Sequence, residues 1–169
     1  MSSEIHGERI LVLDFGAPAA STSGQTLRFD IDLDGAEDDL PVLGPATAWL
    51  ALDRNENGVV DDGAELFGPT TGDGYDELAA HDHDGNGWID GADPIFSKLR
   101  LWFHGADGPV LVGLADRQVG AIALAHVDAP FEIRGGGPEG PAVALQREAG
   151  LWVGETGQAG TVRRLDVLA

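Results

Sequence analysis

Residues 75–99 read YDELAAHDHDGNGWIDGADPIFSKL, and the twelve from Asp82 to Asp93 decide how the rest of the chain is read. Oxygen-bearing side chains recur at a fixed spacing: Asp82 at position 1, Asp84 at 3, Asn86 at 5, Asp90 at 9 and Asp93 at 12. Gly87 stands at 6, where a sharp turn is needed, and Ile89 at 8 is the apolar residue such a turn points inward. Trp88 at 7 is placed to contribute its backbone carbonyl. An EF-hand loop surrounds calcium with this frame, because the ion is a hard cation that takes about six to eight oxygen ligands. The flanks fit two short helices, one over Tyr75–His81 and one from Pro94 to Leu99, with Pro94 at its first position and Asp93 as its cap. Aspartate at 12 reaches less far than glutamate and weakens two-oxygen binding there.

Toward the N-terminus the frame recurs in DRNENGVVDDGAE, with Asp53, Asn55, Asn57, Gly58, Val59, Val60 and Asp61 in register through position 9. Position 12 is then Ala64, and Glu65 comes one residue late, so this loop either carries an extra residue or recruits Asp62. Only 17 residues run from Glu65 to His81, interrupted by GPTTGDG, too few for the two full helices of an ordinary EF-hand pair. The leaving helix of this loop is expected to be one turn. A third frame opens at Asp30 in DIDLDGAEDD, with Asp32, Asp34 and Gly35 in place. Glu37 occupies its apolar position and Pro41 its position 12, so a low-affinity site and a degenerate relic fit equally well. Calcium is the expected cofactor, strongest at Asp82–Asp93, second at Asp53–Glu65.

Charge supports the same placement. The 169 residues carry 29 acids against 10 Lys and Arg, a formal net charge of −19. Residues 30–93 hold 18 of the acids and one base, Arg54, while residues 94–169 hold 8 acids and 7 bases. A salt-adapted surface would spread its acids evenly. Asp outnumbers Glu by 19 to 10, which suits turns and short oxygen ligands better than helices. Nucleic acid is an unfavourable partner, since its binding depends on basic groups that neutralise phosphates. With no cysteine, disulfides and thiolate metal sites are excluded. The apolar run Ile10–Leu13 is too short for a signal peptide or a membrane span.

The flanking regions read as strands. Arg9–Phe15 and Leu27–Leu33 precede the acidic region, and LRLWF, VLV, AIALAHV, FEIR, AVALQ, GLWVG and VRRLDVL follow it, separated by Gly, Pro and Asp. The expected fold is α+β: one domain over residues 1–169, with an acidic loop region at 30–93, a β-rich body at 94–169 and short helices flanking the calcium loops. Trp49, Trp102 and Trp152 are expected in strand cores. His81 and His83 suit solvent better than a transition metal, given the oxygen-rich surroundings. Ser21 and Ser23 have no nucleophile elbow, and GGGPEG lacks the context of a phosphate loop, so no catalytic residue is assigned.

The run LALDRNENGVVDDGAELFG with GYDELAAHDHDGNGWIDGADPIFSKLRLW resembles a bacterial module of RTX-type exported proteins, which includes the calcium-dependent self-processing module of Neisseria FrpC-type proteins. The match is dense from Trp49 to Trp102 and traceable from Phe29 to the closing VRRLDVLA. The resemblance implies EF-hand-like loops embedded in a mixed domain that orders on calcium, and extracellular export without a signal peptide. It also raises self-cleavage at an Asp-Pro bond preceding the module. No Asp-Pro lies near the N-terminus here, and Leu13-Asp14-Phe15-Gly16 stands in that region. The only Asp-Pro, Asp93-Pro94, lies inside the best loop, so a binding module rather than an enzyme is expected.

Overall fold

In the computed structural model, which describes residues 9–15, 22–43, 46–105, 108–134 and 142–167, an eight-stranded antiparallel sheet runs through the molecule. Its strands are β1 (Ile10–Asp14), β4 (Thr47–Leu52), β5 (Trp88–Asp90), β6 (Leu99–Gly105), β7 (Gly108–Gly113), β8 (Val119–Arg134), β9 (Ala142–Gly154) and β10 (Ala159–Val167), in the order β5-β8-β9-β10-β1-β4-β6-β7. A separate hairpin pairs β2 (Thr22–Phe29) with β3 (Asp38–Leu43).

The neighbouring inner strands β1 and β4 are largely apolar without alternation, because both faces of the sheet are covered there. Leu11 and Leu13 of β1 enter one core with Ala48, Leu50 and Leu52 of β4, while Ile10 and Val12 enter the other with Trp49 and Ala51. Side chains that alternate across a strand thus feed two cores. The first core is closed by Tyr75, Leu78, Ile89 and Ile95. The second is closed by Phe29, Leu40 and Leu43 of the β2–β3 hairpin, by Ile31 and by Leu66.

The α+β expectation is overturned: this is a β-rich, sandwich-like sheet. Among the described residues the one α-helix is α1 (Gly74–Ala79), and the other helical segments are 3-10 turns at Gly63–Glu65, Phe96–Lys98 and Ala115–Arg117. Calcium loops flanked by helices are therefore not what forms. The helix expected from Pro94 fails because Leu99 and Leu101 are wholly buried as part of β6, paired with β4, and tertiary pairing outweighs local propensity. Asp93 does not cap that segment; no side chain does. The strands also reach beyond residues 94–169, since β1 and β4 lie inside the sheet, between β10 and β6.

Three acidic turns leave this framework. Turn 1 (residues 30–38) joins β2 to β3, turn 2 (53–65) follows β4, and turn 3 (82–93) follows α1 and contains β5 at the sheet edge.

Candidate metal centre

The three turns share one backbone. Position 4 is left-handed in each, at Leu33 (φ 63°), Glu56 (φ 55°) and Gly85 (φ 67°), and so is position 6, at Gly35 (φ 87°), Gly58 (φ 82°) and Gly87 (φ 83°). Glycine at 6 accepts that conformation without penalty, whereas Leu33 and Glu56 adopt one that L-residues disfavour by ~1–2 kcal/mol. Local hydrogen bonds hold them there. The position-1 carboxylate accepts from the position-6 N–H in all three, Asp30 from Gly35 at 3.1 Å, Asp53 from Gly58 at 2.7 Å and Asp82 from Gly87 at 2.9 Å. The position-3 oxygen accepts from the position-5 N–H at 3.3 Å in each case: Asp32 from Asp34, Asn55 from Asn57, Asp84 from Asn86. The position-5 oxygen accepts from the position-7 N–H, Asp34 from Ala36 at 2.8 Å, Asn57 from Val59 at 3.1 Å and Asn86 from Trp88 at 2.9 Å. The peptide groups thus fix the side-chain oxygens in place.

The turns differ in how they close. In turn 3 the Asp93 carboxylate, 2% exposed, accepts from His83 N–H at 2.7 Å and Asp90 N–H at 3.0 Å, the N–H groups of positions 2 and 9. In turn 2 the Glu65 carboxylate, 4% exposed, accepts from the same two positions, Arg54 at 3.0 Å and Asp61 at 2.8 Å. Glu65 therefore occupies the role that sequence left open between an extra residue and Asp62. Asp62 instead caps the 3-10 turn by accepting from Ala64 N–H at 2.9 Å. Turn 1 has no such closing acid, because Pro41 at its position 12 is buried in β3. It leans on turn 2: Gly63 N–H donates to the Asp30 carbonyl at 2.9 Å, and a Cβ at Gly63 would collide with the Ile31 carbonyl. Turn 3 is anchored separately, by β5 pairing with β8 and by Leu124 N–H donating to the Gly87 carbonyl at 3.0 Å.

Carboxylate oxygens converge in two of the turns. Those of Asp30, Asp32, Asp34 and Asp38 lie within 4.8 Å of one another, as do those of Asp82, Asp84 and Asp93. Asp38 was not anticipated, although it stands at position 9 of the frame opened by Asp30, the spacing that singled out Asp61 and Asp90. Turn 2 is less acidic, since Asn55 and Asn57 fill positions 3 and 5 and both donate amide N–H to Asp61, at 2.7 and 2.8 Å. Likewise Asn86 donates to Asp90 at 3.2 Å, so Asp90 stands outside the turn-3 cluster.

The electrostatics follow the crowding. Loss of solvation, with the hydrogen bond to Asp34 and the charge of Asp38 added, holds Asp32 above the usual carboxylate range. Asp84 is raised in the same way, by desolvation first and then by Asp82, Asp93 and Asp90. Asp34 is lowered, chiefly by the N–H of Ala36. Asp38 Oδ2 and Asp82 Oδ1 are buried without any hydrogen-bond partner. A buried orphan oxygen is costly, and one beside other carboxylates is costlier unless a cation completes it. The donor set is all oxygen, which fits calcium or another hard cation and not zinc or copper. His81 packs edge-on to Phe67 at 6.3 Å, away from a ligand role.

Compared with known proteins, residues 11–139 match the SPM domain. The iron-regulated protein FrpA of Neisseria meningitidis serogroup C is 40% identical over 72 residues, a match covering 34% of this chain. The matched part spans 6% of that protein's length.

Proposed function

The chain belongs to the SPM domain family, and from the geometry of its acidic turns we propose a non-enzymatic module that binds calcium in them and is stiffened by it. The observation that carries this is the threefold repetition of one oxygen-presenting turn, with left-handed residues at positions 4 and 6 and buried orphan oxygens in two of the three. Peptide N–H groups orient the oxygens before any ion arrives, and so less ordering opposes binding. Calcium would be held by Asp82, Asp84, Asn86, Trp88, Asp90 and Asp93, by Asp53, Asn55, Asn57, Val59, Asp61 and Glu65, and by Asp30, Asp32, Asp34 and Asp38. It supplies the positive charge that these residues lack, and binding of only the folded state stabilises the fold. An exported, calcium-rich setting fits sites of this kind and is carried over from the likeness to RTX-type proteins.

Terbium tests the site assignment. Trp88 stands at position 7 of turn 3, so excitation of its indole should sensitise terbium bound there. Trp88→Phe should remove most of that emission and leave calcium stoichiometry unchanged; emission that survives the substitution counts against turn 3.

The resemblance to FrpC-type self-processing modules supplies a second reading, cleavage at an Asp-Pro bond. The only Asp-Pro here is Asp93-Pro94, and the Asp93 carboxylate is occupied by two N–H donors. The intact chain should stay a single species by mass spectrometry after hours in calcium at neutral pH. A fragment ending at Asp93 would replace the binding module with an autocatalytic one.

A further inference from the structure

Six of the ten basic side chains, Arg9, Arg28, Arg134, Arg147, Arg163 and Arg164, lie within 4.0 Å of a carboxylate. A seventh, Arg117, lies over the rings of Phe15 and Phe103. The remaining three, Arg54, Lys98 and Arg100, line one cavity of about 580 Å³ between turn 2 and β6. Arg54 donates through Nε to the Ala64 carbonyl at 2.8 Å, and Arg100 donates to the carbonyls of Ser97 and Leu99 at 3.0 and 2.9 Å. Among the described residues none of these three side chains forms an ion pair with a carboxylate, although the backbone N–H of Arg54 donates to Glu65. In a chain of net charge −19, where acids outnumber bases almost three to one, these three cations, whose side chains are not matched to a carboxylate, are gathered in one concavity beside two acids, Asp53 and Glu56.

We infer that this cavity binds a carboxylate-bearing peptide segment, and that calcium in turn 2 tightens the binding. The class of ligand follows from the walls. Ile95 and Leu111 offer apolar contact beside the three cations, which suits a side chain flanked by apolar residues. Asp53 and Glu56 also line the cavity, and their charge opposes a dianion such as phosphate more than a single carboxylate. Coupling to calcium arises because Asp53 is both cavity wall and position 1 of turn 2. An ion held by Asp53 cancels its negative field at the cavity and leaves Arg54, Lys98 and Arg100 dominant. This coupling rests on the calcium proposal above; the cation cavity itself does not.

The test is a titration of the full chain, labelled with nitrogen-15, with N-acetyl-leucyl-glutamyl-leucinamide, with and without calcium, read by amide shifts. Expected are saturable shifts around Arg54, Lys98 and Arg100, stronger binding in calcium, and no binding of the glutamine analogue of the peptide. Lys98→Gln, at an exposed position, should weaken binding by about two- to fivefold, the worth of a partly exposed charge pair. Arg28→Gln, which removes a cation outside the cavity, should leave it unchanged. Absence of saturable shifts, equal binding of the glutamine peptide, or indifference to Lys98→Gln overturns the site. If calcium shifts the amides of Asn55–Asp61 yet leaves peptide affinity unaltered, the coupling is wrong. If calcium leaves those amides unmoved, the turn-2 calcium proposal fails, and the cavity is then judged on the Lys98→Gln comparison alone.

Discussion

On β10, Arg163 meets Asp14 and Gln146, and Arg164 meets Glu148 and Asp73, whereas in the three turns the position-1 aspartates accept peptide N–H groups and carboxylates converge on one another in two of the three. Both regions bury some carboxylates, Asp14 in the frame and Glu65 and Asp93 in the turns. Asp14 is 3% exposed and fully engaged: Arg163 on one oxygen, the Thr47 hydroxyl on the other at 2.8 Å, and its own carbonyl accepting from Trp152 Nε1 at 3.0 Å. Asp73 joins the same network, capping α1 through Tyr75 and Asp76 N–H groups while taking Arg164 at 2.5 Å. The protein thus neutralises acids internally where the fold must stand under all conditions. In the turns it fixes geometry with peptide dipoles and brings carboxylates together without placing a basic side chain among the converging oxygens of Asp30, Asp32, Asp34 and Asp38 or of Asp82, Asp84 and Asp93. On the proposed function, the difference separates a permanent frame from turns whose charge a bound ion would balance.

The largest expected effect lies on the frame side. Arg163→Met removes one partner of a buried pair and leaves Asp14 charged in the core, at a cost of ~3–5 kcal/mol. Urea midpoints should show that loss to the same extent in calcium and in chelator. A loss that calcium repairs would break the distinction between the regions.

Next in size is calcium itself. At a hundredfold excess over Kd it should stabilise the wild-type chain by about 2.7 kcal/mol. Molar monovalent salt in chelator should not reproduce the rise in Tm. Equality of the two would make the acidic turns a generic charged surface.

Among the turns, charge count sets the order. Turn 3 has acids at positions 1, 3, 9 and 12, whereas turn 2 has them at 1 and 9 with Glu65 closing. Asp82→Ala should therefore cost on the order of tenfold in calcium affinity and Asp53→Ala less, as calcium titration would show. Asp38→Asn should weaken turn 1 alone.

The smallest effect concerns a single group that neither region serves. His104 lies against Trp102 with Nε2 buried and unpartnered, and burial pushes its pKa from 6.5 down to about 4. The unfolded chain then binds the proton more readily between those values, so His104 contributes stability above pH 6.5 that is lost as pH falls toward 4. His104→Phe should flatten that part of the stability profile in chelator; an unchanged slope assigns it to other groups.

Much of the site was legible in sequence, because ligand spacing is local information. The frames from Asp30, Asp53 and Asp82 fold into the same turn, and each glycine at position 6 takes the expected left-handed backbone. Asp38 is legible in the same way, at position 9 of the frame opened by Asp30. The closing role of Glu65 was not legible, for it depends on a side chain reaching back to the N–H groups of Arg54 and Asp61. The strands after Arg100 could be read from their patterns, with AIALAHV and FEIR merging into β8, and AVALQ and GLWVG into β9. At the sheet centre, Arg9–Phe15 could be read as a strand and holds β1, whereas of TAWLAL, which forms β4, only Trp49 was expected in a strand core: the segment lacks alternation because both its faces are covered, a long-range fact. The helix at Pro94 failed for the same reason, as pairing of Leu99–Leu101 with β4 governs that segment.

The central claim, that three turns hold their charge open for calcium, is met most directly by isothermal titration of chelator-treated chain with calcium and with magnesium. The account predicts saturable binding of more than one calcium per chain, with magnesium weaker because it resists dehydration and demands octahedral geometry. Absence of saturable calcium heat, or magnesium binding of equal affinity and stoichiometry, would contradict it.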